Sequence, residues 1–262
     1  NNHAVDRYNK GIFRTIEKLD EFGIPHTGTF RNKDERDSNY PVMLGVKGVK
    51  IAMLNCTFST NGIKPKSPAI VNMVDKEEIK ADLKKAREKN PDLIMMVIHW
   101  GAEYKNYPNS YQKNIANFLI EQGVDVIVGH HPHVLQPVEW KETTYNGEDK
   151  KVLVIWSLGN FFSNQRARYK NGGMFVNFNI VKNRYTSVTK VEDVSFYPFW
   201  VYKETSPEKQ YVLFPCELAD SLKSHYSINS SARNLFNTFT TDTRSHLLKN
   251  GVVKEHFYYT NQ

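Results

Sequence analysis

The chain is poor in cysteine and has no long apolar run. Cys56 and Cys216 are the only two cysteines in 262 residues, too few for a disulfide framework, and they read as free buried thiols. No apolar stretch approaches the roughly 20 residues that a membrane-spanning helix needs. Three catalytic signatures are missing as well. There is no G-x-S-x-G elbow for a serine hydrolase, and no P-loop or G-x-G-x-x-G turn for a nucleotide. A basic stripe with interleaved aromatics is also absent, which argues against a nucleic-acid partner. The sequence begins with Asn1 rather than Met and opens directly on a helix-like pattern. An upstream segment, with any leader or anchor it carries, is therefore expected to have been removed.

Hydrophobic types make up 40% of the chain and charged types 24%, the balance of an ordinary folded protein. That excludes intrinsic disorder and collagen-like repeats, and a chain of this length buries enough surface to fold without a staple. Lys and Arg outnumber Asp and Glu by 35 to 28, a formal net charge of +7. Such an excess favours anionic polymers or phosphorylated substrates, but it is spread along the chain and marks no single face.

Hydrophobic spacing predicts a helix over residues 6–22, capped by Gly23, a strand over 49–58, and a charged amphipathic helix over 75–89. Short apolar runs follow at 93–98, 124–128 and 152–156, with a helix at about 111–122 between the first two. Short strands that are apolar on both faces and alternate with helices define an α/β sheet covered on both sides. Segments 173–181 and 185–202 have no helix between them and read as antiparallel strands. The aromatic stretch SFYPFWVY, residues 195–202, reads as sheet core in preference to a sugar or polymer platform. Residues 218–250 look helical, with Leu222, Leu235, Phe236, Phe239, Leu247 and Leu248 as apolar contacts. The expected organisation is one domain, residues 1–262, with a core at 1–214 and a mainly helical C-terminal appendage at 215–262.

Five of the nine histidines fall in short motifs at the ends of these elements, where α/β sheets build their sites. The clearest is GHHPH, Gly129 to His133, directly after an apolar strand. Two histidines separated by one residue aim both imidazoles at one metal from an extended loop, with Pro132 stiffening the spacer. Neutral imidazole suits Zn, Mn, Fe and Ni. His99 opens HWGAEY, which brings Glu103 close behind another strand. NNHAVD precedes the first helix; its Asn2 reads equally as a metal ligand or a helix N-cap, and His3 as a general acid. SLGNF follows the last run, so Asn160 borders the same mouth.

In order and spacing, NNHAVD, HWGAEY, GHHPHVLQPVE and SLGNFF resemble the CapA family of bacterial poly-γ-glutamate capsule proteins, from residue 1 to about residue 178. That family is similar to the calcineurin-like metallophosphoesterases. The resemblance implies a two-sheet β sandwich flanked by helices, with a dinuclear site for Mn, Fe or Zn, two metals about 3.5–4 Å apart. It assigns Asn2, His99, His131 and His133 as metal ligands and His3 as the general acid; His130, which stands where the wider superfamily usually has glycine, is read as a second catalytic residue. Glu103, Asn160 and Asp6 are left to bind substrate. The superfamily's opening carboxylate motifs lie upstream of Asn-His, so the N-terminal part of the fold is expected to be missing from this chain. By itself the chain is expected to hold metal weakly, and to have that missing segment as a partner.

Two functions follow. One is a metal-dependent phosphoester hydrolase serving capsule synthesis or export, at the outer face of the bacterial cytoplasmic membrane or outside the cell, anchored upstream and working with other capsule-synthesis subunits. The other is a non-catalytic accessory protein that binds or exports an anionic polymer.

Overall fold

The computed structural model describes residues 1–204, 210–219, 228–251 and 253–257. The chain opens with α1 (Tyr8–Glu21), β1 (Thr29–Phe30), α2 (Lys33–Asn39), β2 (Val42–Val46), β3 (Val49–Thr57) and β4 (Ile70–Val71). Next come α3 (Lys76–Glu88), β5 (Leu93–His99), α4 (Ser110–Glu121), β6 (Val126–His130), β7 (Leu135–Tyr145) and β8 (Glu148–Leu158). The remainder is β9 (Gly172–Lys182), β10 (Thr189–Lys203), β11 (Tyr211–Pro215), α5 (Ser230–Leu247) and β12 (Lys254–Glu255).

Six strands form the main sheet in the order β2-β3-β5-β6-β8-β7. Its four central strands run parallel, and β2 and β7 close the edges antiparallel. A second sheet is built on β10, which pairs antiparallel with β9 and β11 and briefly parallel with β12.

Side chains alternate across a strand, so each central strand feeds two cores. Ile94, Met96, Ile98, Ile127, Val152, Val154 and Trp156 face α3 and α4, whose Ile79, Leu83, Ile115 and Leu119 complete the first core. Leu93, Val126, Leu153 and Ile155 face the opposite way, against Phe196 and Trp200 of the second sheet and Phe236 and Phe239 of α5. The result is the expected two-sheet sandwich flanked by helices. A third, smaller core of Val5, Ile12, Ile16, Ala69 and Val71 fastens α1 and the turn before it to the β1–β4 pair. Local chemistry fixes the helix ends. Asp75 caps α3 by accepting from the amides of Glu77 and Glu78, and Asn109 and Gln112 form a reciprocal capping box on α4.

Several elements depart from the sequence reading. β7 was not anticipated, because Pro137 and its charged residues obscure it, and an edge strand tolerates both. The signal for it is Asn146-Gly147, both at positive φ, the dipeptide of a tight β-hairpin. At the C-terminal end α5 begins at Ser230, capped by the Asn229 side chain, and positions 220–227 of the expected helical stretch lie outside the described residues. Leu235 and Leu248 are exposed rather than packed. The buried stripe of α5 runs through Ala232, Phe236, Phe239, Thr243 and Leu247, and Leu235 lies one residue off it, about 100° around the helix. Leu222 lies outside the described residues. The stretch 195–202 is sheet core at Phe196, Trp200 and Val201, while Tyr197 and Phe199 line an open cavity of about 430 Å³ on the far face of the second sheet. Among the described residues, no helix is long and apolar enough to cross a membrane.

Candidate metal centre

The parallel strands β3, β5, β6 and β8 deliver the candidate residues to one edge of the main sheet. His99 ends β5 and His130 ends β6, and the two are register partners. His131 and His133 follow in the next loop, and Asn160 lies just beyond β8. The turn before α1 brings Asn2 and His3 to the same edge. Asn1, His99, His130, His131, His133 and Asn160 line one open depression of about 290 Å³.

The centre is packed from below. Gly129 lies against the Trp156 carbonyl and the Trp100 indole; a Cβ there would fall 2.1 Å from the Trp156 oxygen and 2.5 Å from Trp100 Nε1. Trp100 Nε1 donates to that carbonyl at 3.1 Å, and the two indoles stack with centroids 5.5 Å apart. Glycine is required because the backbone of β6 approaches so closely.

The loop after β6 is not extended as expected. His131 has φ +100° and His133 φ +59°, a region that costs a residue with a side chain on the order of 1–3 kcal/mol. This contorted backbone puts the His131 ring centroid 4.8 Å from that of His99 and 5.9 Å from that of His133. Phe58, just after β3, packs on the other side of His131 at 4.8 Å.

Asn160 is buried, with 7% of its surface exposed, and all of its amide is used. Its Oδ1 accepts from His133 Nδ1 at 2.8 Å, and its Nδ2 donates to the carbonyls of His133 and Lys170 and to Gln165 Oε1. It holds the His133 ring and is not free to reach a substrate. His133 Nε2 is left facing Glu103, 3.9 Å from Oε1. A hydrogen bond from the Tyr104 amide to the Pro132 carbonyl (2.8 Å) ties the Glu103 loop to the histidine loop. Tyr104 forms an outer wall, with its ring 6.0 Å from His133 and the Lys170 ammonium seated 3.2 Å above its centroid.

On the opposite rim, His99 Nε2 and Asn2 Oδ1 lie 2.9 Å apart, and Asn2 Nδ2 donates to Asn61 Oδ1 at 3.1 Å. His3 Nδ1 pairs with Asp6 Oδ2 at 2.8 Å, and Asn61 Nδ2 lies 3.3 Å from the same nitrogen. The structure thus places Asp6 against His3 and does not aim it into the mouth. Asn61 was missed in the sequence, where the only hint is its place in the turn S-T-N-G after β3.

Burial lowers the pKa of three of these histidines. His99 is pushed down to about 2, with neighbouring positive charge adding to the effect of burial. His130 and His131 are lowered by burial, and Glu103 partly offsets this at His131. Neutral imidazoles are what a metal requires. The donor set fits one. His131 Nδ1 is buried without a hydrogen-bond partner, an arrangement that costs roughly 1–3 kcal/mol unless something binds there. The ligand atoms of Glu103, His131 and His133 lie within 4.8 Å of one another, so these residues can hold a divalent metal of the nitrogen- and oxygen-loving class.

The fold and this strand-end histidine centre define an α/β sandwich protein with a candidate metal site. The model of the family described as bacterial capsule synthesis protein PGA_cap matches residues 1–165, more than half of the chain, and the protein belongs to that family. It is 31% identical over 184 residues to the PGA biosynthesis protein CapA of Bacillus subtilis (strain 168), covering 70% of this chain and 46% of that protein. It is 33% identical over 171 residues to the capsule biosynthesis protein CapA of Bacillus anthracis, covering 63% of this chain and 39% of that protein. The chain thus spans less than half the length of these curated relatives. Among solved structures, the NAD nucleotidase NadN of Haemophilus influenzae aligns with a TM-score of 0.49 at 15% identity, over 97% of this chain and 46% of that one. The sulfate thiohydrolase SoxB from Termus thermophilus aligns with a TM-score of 0.35 at 12% identity, over 79% and 29%.

Proposed function

We propose that the protein serves capsule synthesis or export at the bacterial cell surface, beside other capsule-synthesis subunits, through a metal-dependent site of the phosphoester-hydrolase type. The observation that carries this reading is the convergence of His99, His131 and His133 with Asn2 at the carboxyl ends of adjacent parallel strands. Packing alone does not account for so many imidazoles at one edge with a buried ring nitrogen left unpaired. Asn2, His99, His131 and His133 would hold the metal, one or two ions of Mn, Fe or Zn. When bound, it would act as a Lewis acid on a phosphoryl oxygen. His3 would give a proton to the leaving oxygen, with Asp6 holding its ring from Nδ1, the carboxylate–imidazole pairing that orients catalytic histidines. His130, which lines the same depression, would take the second catalytic place beside the metal.

The test is hydrolysis of bis(4-nitrophenyl) phosphate by the Mn-loaded protein, alongside polymer output from a producing strain. Loss of both with His131→Ala, and a slower reaction with His3→Ala, is the expected result. Absent hydrolysis combined with unchanged polymer output in the His131→Ala strain would overturn the reading. The net charge of +7 favours a second reading, an accessory protein that gathers an anionic polymer without chemistry. Salt-sensitive binding of polyglutamate that survives removal of the histidines would support it.

A further inference from the structure

We propose that the far face of the second sheet docks the protein on an anionic lipid surface, its phenylalanines entering the headgroup layer and a ledge of cations meeting the lipid phosphates. The proposal rests on the cell-surface reading above and is independent of the metal-dependent chemistry.

Strand geometry gathers this face. Phe196 and Trp200 of β10 point into the core between the sheets, so alternation turns Tyr197, Phe199, Val201 and Lys203 outward. Register sets Phe175 of β9 beside Tyr197, and Tyr211 of β11 beside Lys203. The loop after β8 lies on the same face. Arg166 donates from that loop to the Val201 carbonyl at 2.7 Å, and Phe161 sits edge-on to Phe175 and Phe199 with ring centroids 5.6 and 5.7 Å away.

Two observations identify what meets it. The apolar part is contiguous and open. Phe161, Phe162 and Phe175 are 51%, 60% and 52% exposed and touch in series, and a cluster of this kind on a folded protein marks an interaction surface. The charged part is positive and uncompensated. Lys203 and Arg166 both lie over the Tyr211 ring, 5.6 and 5.8 Å from its centroid. Neither has a carboxylate partner among the described residues, whereas Arg168 in the same loop pairs with Asp242 at 2.7 Å. Open aromatic rings bordered by unpaired cations complement an anionic bilayer, which takes rings at its headgroup level and attracts basic side chains. A soluble anionic polymer would use the cations and leave the phenylalanines in water. The docked loop starts next to Asn160, which locks His133, so docking would hold the mouth of the metal centre close to the lipid.

The test is co-sedimentation of the chain with vesicles of phosphatidylglycerol and phosphatidylcholine in equal parts, beside vesicles of phosphatidylcholine alone. Binding to the anionic vesicles that weakens as salt rises is expected. Phe161→Ser/Phe162→Ser should weaken it at least about tenfold. Lys203→Gln should weaken it about fivefold and flatten its salt dependence. Lys80→Gln/Lys84→Gln, which takes twice that charge off α3, should stay within about twofold of the parent. An unchanged urea midpoint confirms that each variant keeps its fold. Failure of the parent to bind anionic vesicles overturns the proposal. So does binding that the phenylalanine variant retains, or that the α3 variant loses as fully. Capture of polyglutamate in place of vesicles, lost with Lys203→Gln, also overturns it and gives the cations to the polymer reading. Vesicle binding by a protein that the producing strain keeps in its cytoplasm would uphold the face and sink the cell-surface reading.

Discussion

On one rim of the centre, His131 and His133 leave β6 on a strained backbone seated against buried tryptophans, and a buried amide locks one of the rings. On the other rim, Asn2 and His3 sit in a turn ahead of α1 and are held by exposed or half-exposed side chains, Asp6 and Asn61. The difference is one of stiffness. The sheet enforces the first rim, so that misplacing a ligand would mean deforming the sandwich. The second is fastened by a few hydrogen bonds and a small apolar core, so its residues can shift without deforming the sandwich.

Substitutions on each rim sharpen this contrast. Gly129→Ala attacks the stiff rim at its base. The added methyl meets backbone that cannot shift, and a loss on the order of 3 kcal/mol is expected, read as a lower midpoint in urea unfolding. His131→Ala removes a ligand with less damage to the fold, and Zn²⁺ affinity should fall by about 100-fold or more in calorimetry. Asn160→Ala leaves all the ligands in place but frees the His133 ring. A loss of about 10–100-fold in affinity is expected, the usual size for an outer partner of a metal-binding histidine. Asn61→Ala, on the looser rim, deletes hydrogen bonds worth about 1 kcal/mol. It should slow hydrolysis roughly fivefold and, because Asn61 holds Asn2, weaken Zn²⁺ affinity by no more than about fivefold. Equal losses of affinity from Asn160→Ala and Asn61→Ala would erase the distinction between the rims.

Much of the stiff rim was legible in the sequence, because it is written locally. An apolar strand followed by GHHPH fixes both the register of β6 and the position of the histidines at its end. Asn160 stands in the motif after β8 and lines the depression, yet its work could not be read. Its partners His133 and Lys170 are set by how the loop after β8 folds back, and no spacing rule encodes that. Asn61 was invisible for a related reason: an asparagine in a turn ordinarily serves the turn, and only the approach of α1 gives it Asn2 and His3 to hold. In the fold, the double apolarity of β5, β6 and β8 revealed a sheet covered on both faces, and only the family resemblance implied the second sheet of the sandwich, while β7 stayed hidden because an edge strand carries charge and proline without penalty.

The Trp100–Trp156 stack beneath Gly129 has a practical consequence. Two parallel indoles, buried and one layer below the ligands, make the centre optically self-reporting. An ion that draws His131 and His133 together should be felt through Gly129 by this pair, and should change the sign or size of its near-UV dichroic bands without any label. The same signal would also show when the centre empties.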